Sequence, residues 1–191
     1  MTHLSDRTRT ALKSVHRVKT GAYGNAWKKR GEVLSILCNV ARKVDRLEII
    51  ATGGKPSADE TLIDTCVDLL IYCLKYQTFL IDVDPSSASA SMGRLSPSPL
   101  SDSLEGFTWV LERIDLSPLD KLEGATQTAF VAVPDAFVRL EQCFVGINAT
   151  TSASDRLQLV RDLTRTAVDA LSAAVKDNPS AFANFLVENP E

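Results

Sequence analysis

No apolar run in this sequence approaches the roughly 18 residues that a membrane-spanning helix needs. The first residues are polar through Arg9, so a secretory leader is not expected either. Aromatic residues make up only 6% of the chain and β-branched alternation is scarce, which favours an all-α protein. Cysteine is sparse. Cys38, Cys66, Cys73 and Cys143 form no close CxxC pair, and buried thiols in a reducing cytoplasm are the default reading. Of two histidines, His16 has no second one at a ligand spacing. An excess of positive charge is also missing, since the formal net charge is −3. That excludes a general nucleic-acid-coating surface.

What the chain does have is 191 residues with 45% hydrophobic content, enough for a sizeable core. The strongest pattern is Asp59 to Leu80. Ile63, Val67, Leu70 and Leu74 mark one side of a helix, and Leu62, Cys66, Leu69, Cys73, Tyr76 and Leu80 mark its neighbour. A helix apolar over so much of its girth belongs in a core. Across it run Glu60, Asp64 and Asp68 at i, i+4 and i+8, with Lys75 continuing the line. Carboxylates four apart repel by a few tenths of a kcal/mol per pair, and unpaired charge beside a core costs far more. A divalent metal such as Mg²⁺ would balance the stripe. So would basic side chains from a facing helix, or a stripe that simply faces water.

The preceding stretch, Glu32 to Ala51, has a core face of Val33, Leu37, Val40, Val44 and Leu47. Beside it lies a strip of Glu32, Ser35, Asn39, Lys43 and Arg46. Lys43 and Arg46 are placed to pair with Asp64 and Asp68, or to bind phosphates held by a metal on those carboxylates. The short connection TGGKPSA between the two stretches predicts an antiparallel pair. Ahead of them, the run from Lys19 to Gly31 carries Gly21, Gly24 and Gly31 as helix breakers. Tyr23, Asn25 and Trp27 stand among these glycines. Two rings and an amide in a glycine-rich loop can stack on and hydrogen-bond a base. The plainer alternative is that the rings plug the end of a helical bundle.

Asp82 to Ser103 is Ser- and Pro-rich and reads as a mobile linker. Beyond it, Leu104–Ile114, a helix opening at Pro134, Ser154–Lys176 capped by Ser154 or Asp155, and a last helix from Pro179 complete the expected elements. The organisation is thus a helical domain over residues 1–82, a linker over 83–103, and a helical region over 104–191. That last region either packs on the first or builds an interface in a homo-oligomer. The expected fold is an all-α helical bundle with an antiparallel central helix pair.

The run YGNAWKKRGEVLSILCNVARKVDRLE, followed by ETLIDTCVDLLIYCLKY, resembles the nucleotide-modification-associated domain 1 proteins common in phages and prophages. That family's pattern is a YG-x-x-W segment, a helix with K-x-x-R-L and a helix with D-T-x-x-D-L-x-x-Y. Here these are Tyr23, Gly24 and Trp27; Lys43, Arg46 and Leu47; and Asp64, Thr65, Asp68, Leu69 and Tyr72. The likeness covers residues 12–80. More distantly, the layout is similar to the all-α nucleoside triphosphate pyrophosphohydrolases of the MazG and dimeric dUTPase type, which hold Mg²⁺ through E-x-x-E and E-x-x-D. This chain departs from that pattern, with Ser35 in place of the second acid after Glu32.

The resemblance implies a cytoplasmic protein of phage-type nucleotide metabolism that takes a nucleotide or modified nucleotide. In one form it is a Mg²⁺-dependent phosphoanhydride hydrolase. Glu32, Glu60, Asp64 and Asp68 would then hold the metal, Lys43 and Arg46 would stabilise phosphate charge, and Tyr23, Asn25, Trp27 and Asn39 would hold substrate. In the other it is a binding or accessory protein without turnover, with Lys43/Asp64 and Arg46/Asp68 as structural pairs.

Overall fold

The computed structural model describes residues 3–54, 61–85, 99–123, 125–145 and 152–190. Among the described residues the elements are eight α-helices and no strand, the all-α bundle that the sequence predicts. They are α1 (Leu4–Tyr23), α2 (Cys38–Ala51), α3 (Leu62–Val83), α4 (Leu104–Leu111), α5 (Pro118–Lys121), α6 (Thr126–Glu141), α7 (Ala153–Asp177) and α8 (Pro179–Glu188).

Helix α1 buries Thr8, Ala11, Leu12 and Val15, the i, i+3, i+4, i+7 spacing of one face. It runs through Gly21 and stops at Gly24, whose φ of 52° leaves the right-handed helical region at no steric cost for glycine. A 3₁₀ turn, Ala26–Lys28, follows and buries Trp27. The second predicted helix has two parts: Glu32–Leu37 is π-helical, and α2 continues from Cys38. Such wide turns are rare and shift the register of every side chain around them.

Helix α3 starts at Leu62 with a reciprocal capping box. The Thr61 hydroxyl accepts from the Asp64 backbone N–H at 3.1 Å, and the Asp64 carboxylate accepts from the Thr61 N–H at 3.0 Å. The predicted start at Asp59 lies outside the described residues. Pairing across α2 and α3 runs in opposite directions: Lys43 meets Asp68, while Glu32, earlier in the chain, meets Tyr76, later in it. The central pair is therefore antiparallel, as expected.

The C-terminal helices pack on the N-terminal ones. One hydrophobic core draws Leu12, Val40, Leu47, Leu70 and Leu74 together with Phe107, Leu140, Val160, Leu163 and Leu171. Helix α3 lies at its centre and packs most extensively on α7, which also backs α6.

Val33, expected on the core face, is exposed, as is the Cys38 thiol expected to be buried, because the π-helical turns around them shift the register. Three further sequence expectations need correction. Pro134 opens no helix; α6 runs through it from Thr126 to Glu141, because the apolar side chains Phe130, Val133 and Phe137 hold both sides of the proline in one core. The cap of α7 is Ser152, whose hydroxyl accepts from the Asp155 N–H at 3.2 Å. The Ser/Pro-rich stretch is packed at both described ends. Asp82 belongs to α3, and its carboxylate accepts the backbone N–H groups of Leu100 and Ser101 at 2.8 and 2.9 Å. Leu100 itself is buried. Residues 86–98 lie outside the described residues.

A cation-rich cleft between the first three helices

The end of α1, the 3₁₀ turn, α2 and α3 enclose a cleft of about 540 Å³. Tyr23 and Gly24 form its rim, Trp27 its floor, Asn39 and Arg42 come from α2, and Asp68, Tyr72 and Lys75 from α3; Lys19 closes it from α1. The α3 residues lie at i, i+4 and i+7, which puts all three on one face of that helix.

Asp68 is the carboxylate of this cleft. Its Oδ2 accepts Lys43 at 2.9 Å and its Oδ1 pairs with Lys19. Burial pushes the Asp68 carboxyl up, but the two lysines outweigh this and hold it below the ordinary aspartate value. Lys43 is buried and joins α2 to α3 from behind. Lys75, also buried, carries its ammonium 4.8 Å from the centre of the Trp27 ring, with Lys28 on the same ring at 5.8 Å. Burial, with the positive charges of Lys19 and Lys28, lowers Lys75 from 10.5 to about 8. Lys19, Arg42 and Lys75 thus share one cleft wall with a single aspartate. Such a wall attracts anions, and ammonium and guanidinium groups suit phosphate oxygens.

The other predicted site residues go elsewhere. Asp64 is exposed and spent on the α3 cap. Glu32 is held by Arg156 of α7, with Nε–Oε1 at 2.7 Å and Nη2–Oε2 at 3.1 Å, and it accepts the Tyr76 hydroxyl. Its partner lies 124 residues away, so no local spacing announces the pair. Glu60 lies outside the described residues. Arg46 sits half-buried on α2 outside the cleft lining, so the expected Arg46–Asp68 and Lys43–Asp64 pairings give way to Lys43–Asp68. Asn25 is exposed and donates to Asp102 at 2.6 Å. Trp27, 7% exposed, plugs the bundle end and offers no open face for a base.

Of the candidate residues, Tyr23, Trp27, Asn39 and Asp68 line this one cleft. The sequence reading missed Lys19, Arg42 and Tyr72 as cleft residues. Helical projection from Asp68 to Tyr72, from Asn39 to Arg42 and from Tyr23 back to Lys19 carries the signal for all three.

The Mg²⁺ that the resemblance implies would take one or two free carboxylates together with substrate phosphates. Glu32 is neutralised by arginine, Asp64 caps a helix and Asp68 is neutralised by two lysines. Among the described residues no three His, Cys, Asp or Glu side chains group as a metal site requires. Glu60 lies outside the described residues, and Glu32, Asp64 and Asp68 do not converge on one point.

No family model matches the chain and no solved structure matches it. The chain is similar to the "Gene 30 protein" of Bacillus phage SP01, 30% identical over an alignment of 115 residues that covers 49% of this chain and 51% of the phage protein. The match thus spans about half the length of that curated relative. No helix among the described residues is long and apolar enough to cross a membrane.

Proposed function

We propose that this protein binds a nucleotide or modified nucleotide in the cleft and holds its phosphates on Lys19, Arg42 and Lys75. The observation that carries the reading is the gathering of these cations around one already neutralised aspartate. Tyr23 and Tyr72 flank the cleft, where exposed or half-buried rings suit stacking on a base. Because the described carboxylates form no metal set, the reading is one of binding, as in sequestration or an accessory role, rather than Mg²⁺-dependent hydrolysis. The relative's phage origin supports a setting in the cytoplasm of an infected bacterium, and the likeness to the nucleotide-modification-associated family supports the ligand class.

Calorimetric titration with mono-, di- and triphosphates, with and without Mg²⁺, tests this. At least one nucleotide should bind saturably without metal. Arg42→Gln, at an exposed position, should weaken that binding by tenfold or more while leaving the fold intact. Release of pyrophosphate or phosphate that depends on Mg²⁺ would replace binding by catalysis, and absence of binding to every nucleotide would end the reading.

A further inference from the structure

A second cleft, of about 530 Å³, lies on the other side of α3, walled by α4 and α7. Three arginines line it, Arg113, Arg161 and Arg165. Arg113 stacks on the Trp109 ring, its central carbon 3.8 Å from the ring centre. Arg161 and Arg165 stand one turn apart on α7, the spacing at which like charges destabilise a helix unless an anion lies between them. Arg165, itself 72% exposed, pairs with the half-buried Asp162 at 3.0 Å and lies near Asp169, weak holds at an exposed position. The carboxylate in the lining, Asp115, is engaged by the Ser117 N–H at 2.9 Å.

The wall between these charges contains a buried amide with spare capacity. Thr164 donates its hydroxyl proton to the Val160 carbonyl at 2.7 Å. It can therefore only accept from Gln77, whose Nε2 sits 2.7 Å away. This fixes the amide orientation and leaves the Gln77 carbonyl oxygen without a hydrogen-bond donor among the described residues. Gln77 is 4% exposed as a residue, but it lines the cleft and its carbonyl oxygen is not sealed from solvent, so water can reach it there. A ligand in the cleft can donate to this oxygen in place of water.

We infer that this cleft is a second ligand site, built for a nucleoside monophosphate. The phosphate lies across Arg161 and Arg165, where two guanidinium forks match its oxygens. The base lies along the apolar wall by Trp109 and presents an N–H to the Gln77 carbonyl. The volume falls within the range of small-molecule sites. The inference is independent of the first cleft, because the two share no residue.

The chain has two tryptophans, one in each cleft, so their indole N–H resonances report the sites separately. Trp→Phe variants assign the two peaks. Titration of the full chain with the common nucleoside monophosphates should shift the Trp109 peak saturably for at least one of them. Arg161→Gln/Arg165→Gln, at two exposed positions, should weaken this by tenfold or more while any Trp27 shift persists. Ribose 5-phosphate, which lacks the base, should bind at least tenfold more weakly. The inference is overturned by no Trp109 shift with any nucleotide at millimolar concentration. It is overturned equally by a shift that survives the double substitution, or by equal affinity for ribose 5-phosphate.

Discussion

Two buried titratable side chains make this protein sensitive to pH in separate windows. His16 stacks on Phe107 with ring centres 3.9 Å apart and rings nearly parallel. Burial, with a smaller contribution from the charge of Lys75, lowers it from 6.5 to about 4. Between those values the unfolded chain carries the proton and the folded chain does not. Stability therefore falls as pH drops through that window, by up to about 3 kcal/mol at 1.4 kcal/mol per pKa unit. Urea denaturation at pH 6.5 and 4.5 measures this, and His16→Gln should flatten the difference. Lys75 titrates in a higher window and bears on the proposed binding. It is charged below about 8, so the proposed nucleotide affinity should decline between pH 7 and 9, and Lys75→Met should remove most of that dependence. Local spacing announced Asp68, because a carboxylate on an apolar helix face demands a partner. It could not announce that Lys19, from another helix, would be one of the two.

The elements that the sequence makes legible are those whose burial is periodic: α2, α3, α7 and α8. Those it obscures are set by contacts distant in the chain. Pro134 looks like a helix start because its ring suits a first turn, yet Phe130 and Phe137 on either side of it share the same core. Gly106 looks unremarkable in sequence. In the fold, a Cβ there would lie 2.2 Å from the Leu100 carbonyl oxygen and 2.5 Å from the Leu100 Cα. Since both neighbours are backbone, Gly106→Ala should cost on the order of 1–3 kcal/mol, read as a lowered thermal midpoint. The Glu32–Arg156 pair is likewise invisible locally. Arg156→Leu strands a mostly buried carboxylate and should cost about 3–5 kcal/mol. Converting Glu32 to Gln in the same chain should recover part of that loss. If the single variant is as stable as the parent, the π-helical stretch is not anchored by α7.

At the scale of the whole molecule, the first-half cleft is built from residues 19–75, but its scaffold is not. Helix α3 is flanked by the first helices on one side and by α7 on another, so residues 1–103 expressed alone should show no cooperative thermal transition. A sharp one would restore an independent N-terminal domain. The same arrangement bears on synthesis. Helix α3 leaves the ribosome about 70 residues ahead of the helix that covers it, an interval of roughly 4–14 s at ordinary elongation rates. For that time Leu70, Leu74 and their neighbours have no native cover from α7. Nascent chains stalled before Ala153 should accordingly be captured by chaperones, and chains released after Asp177 should not.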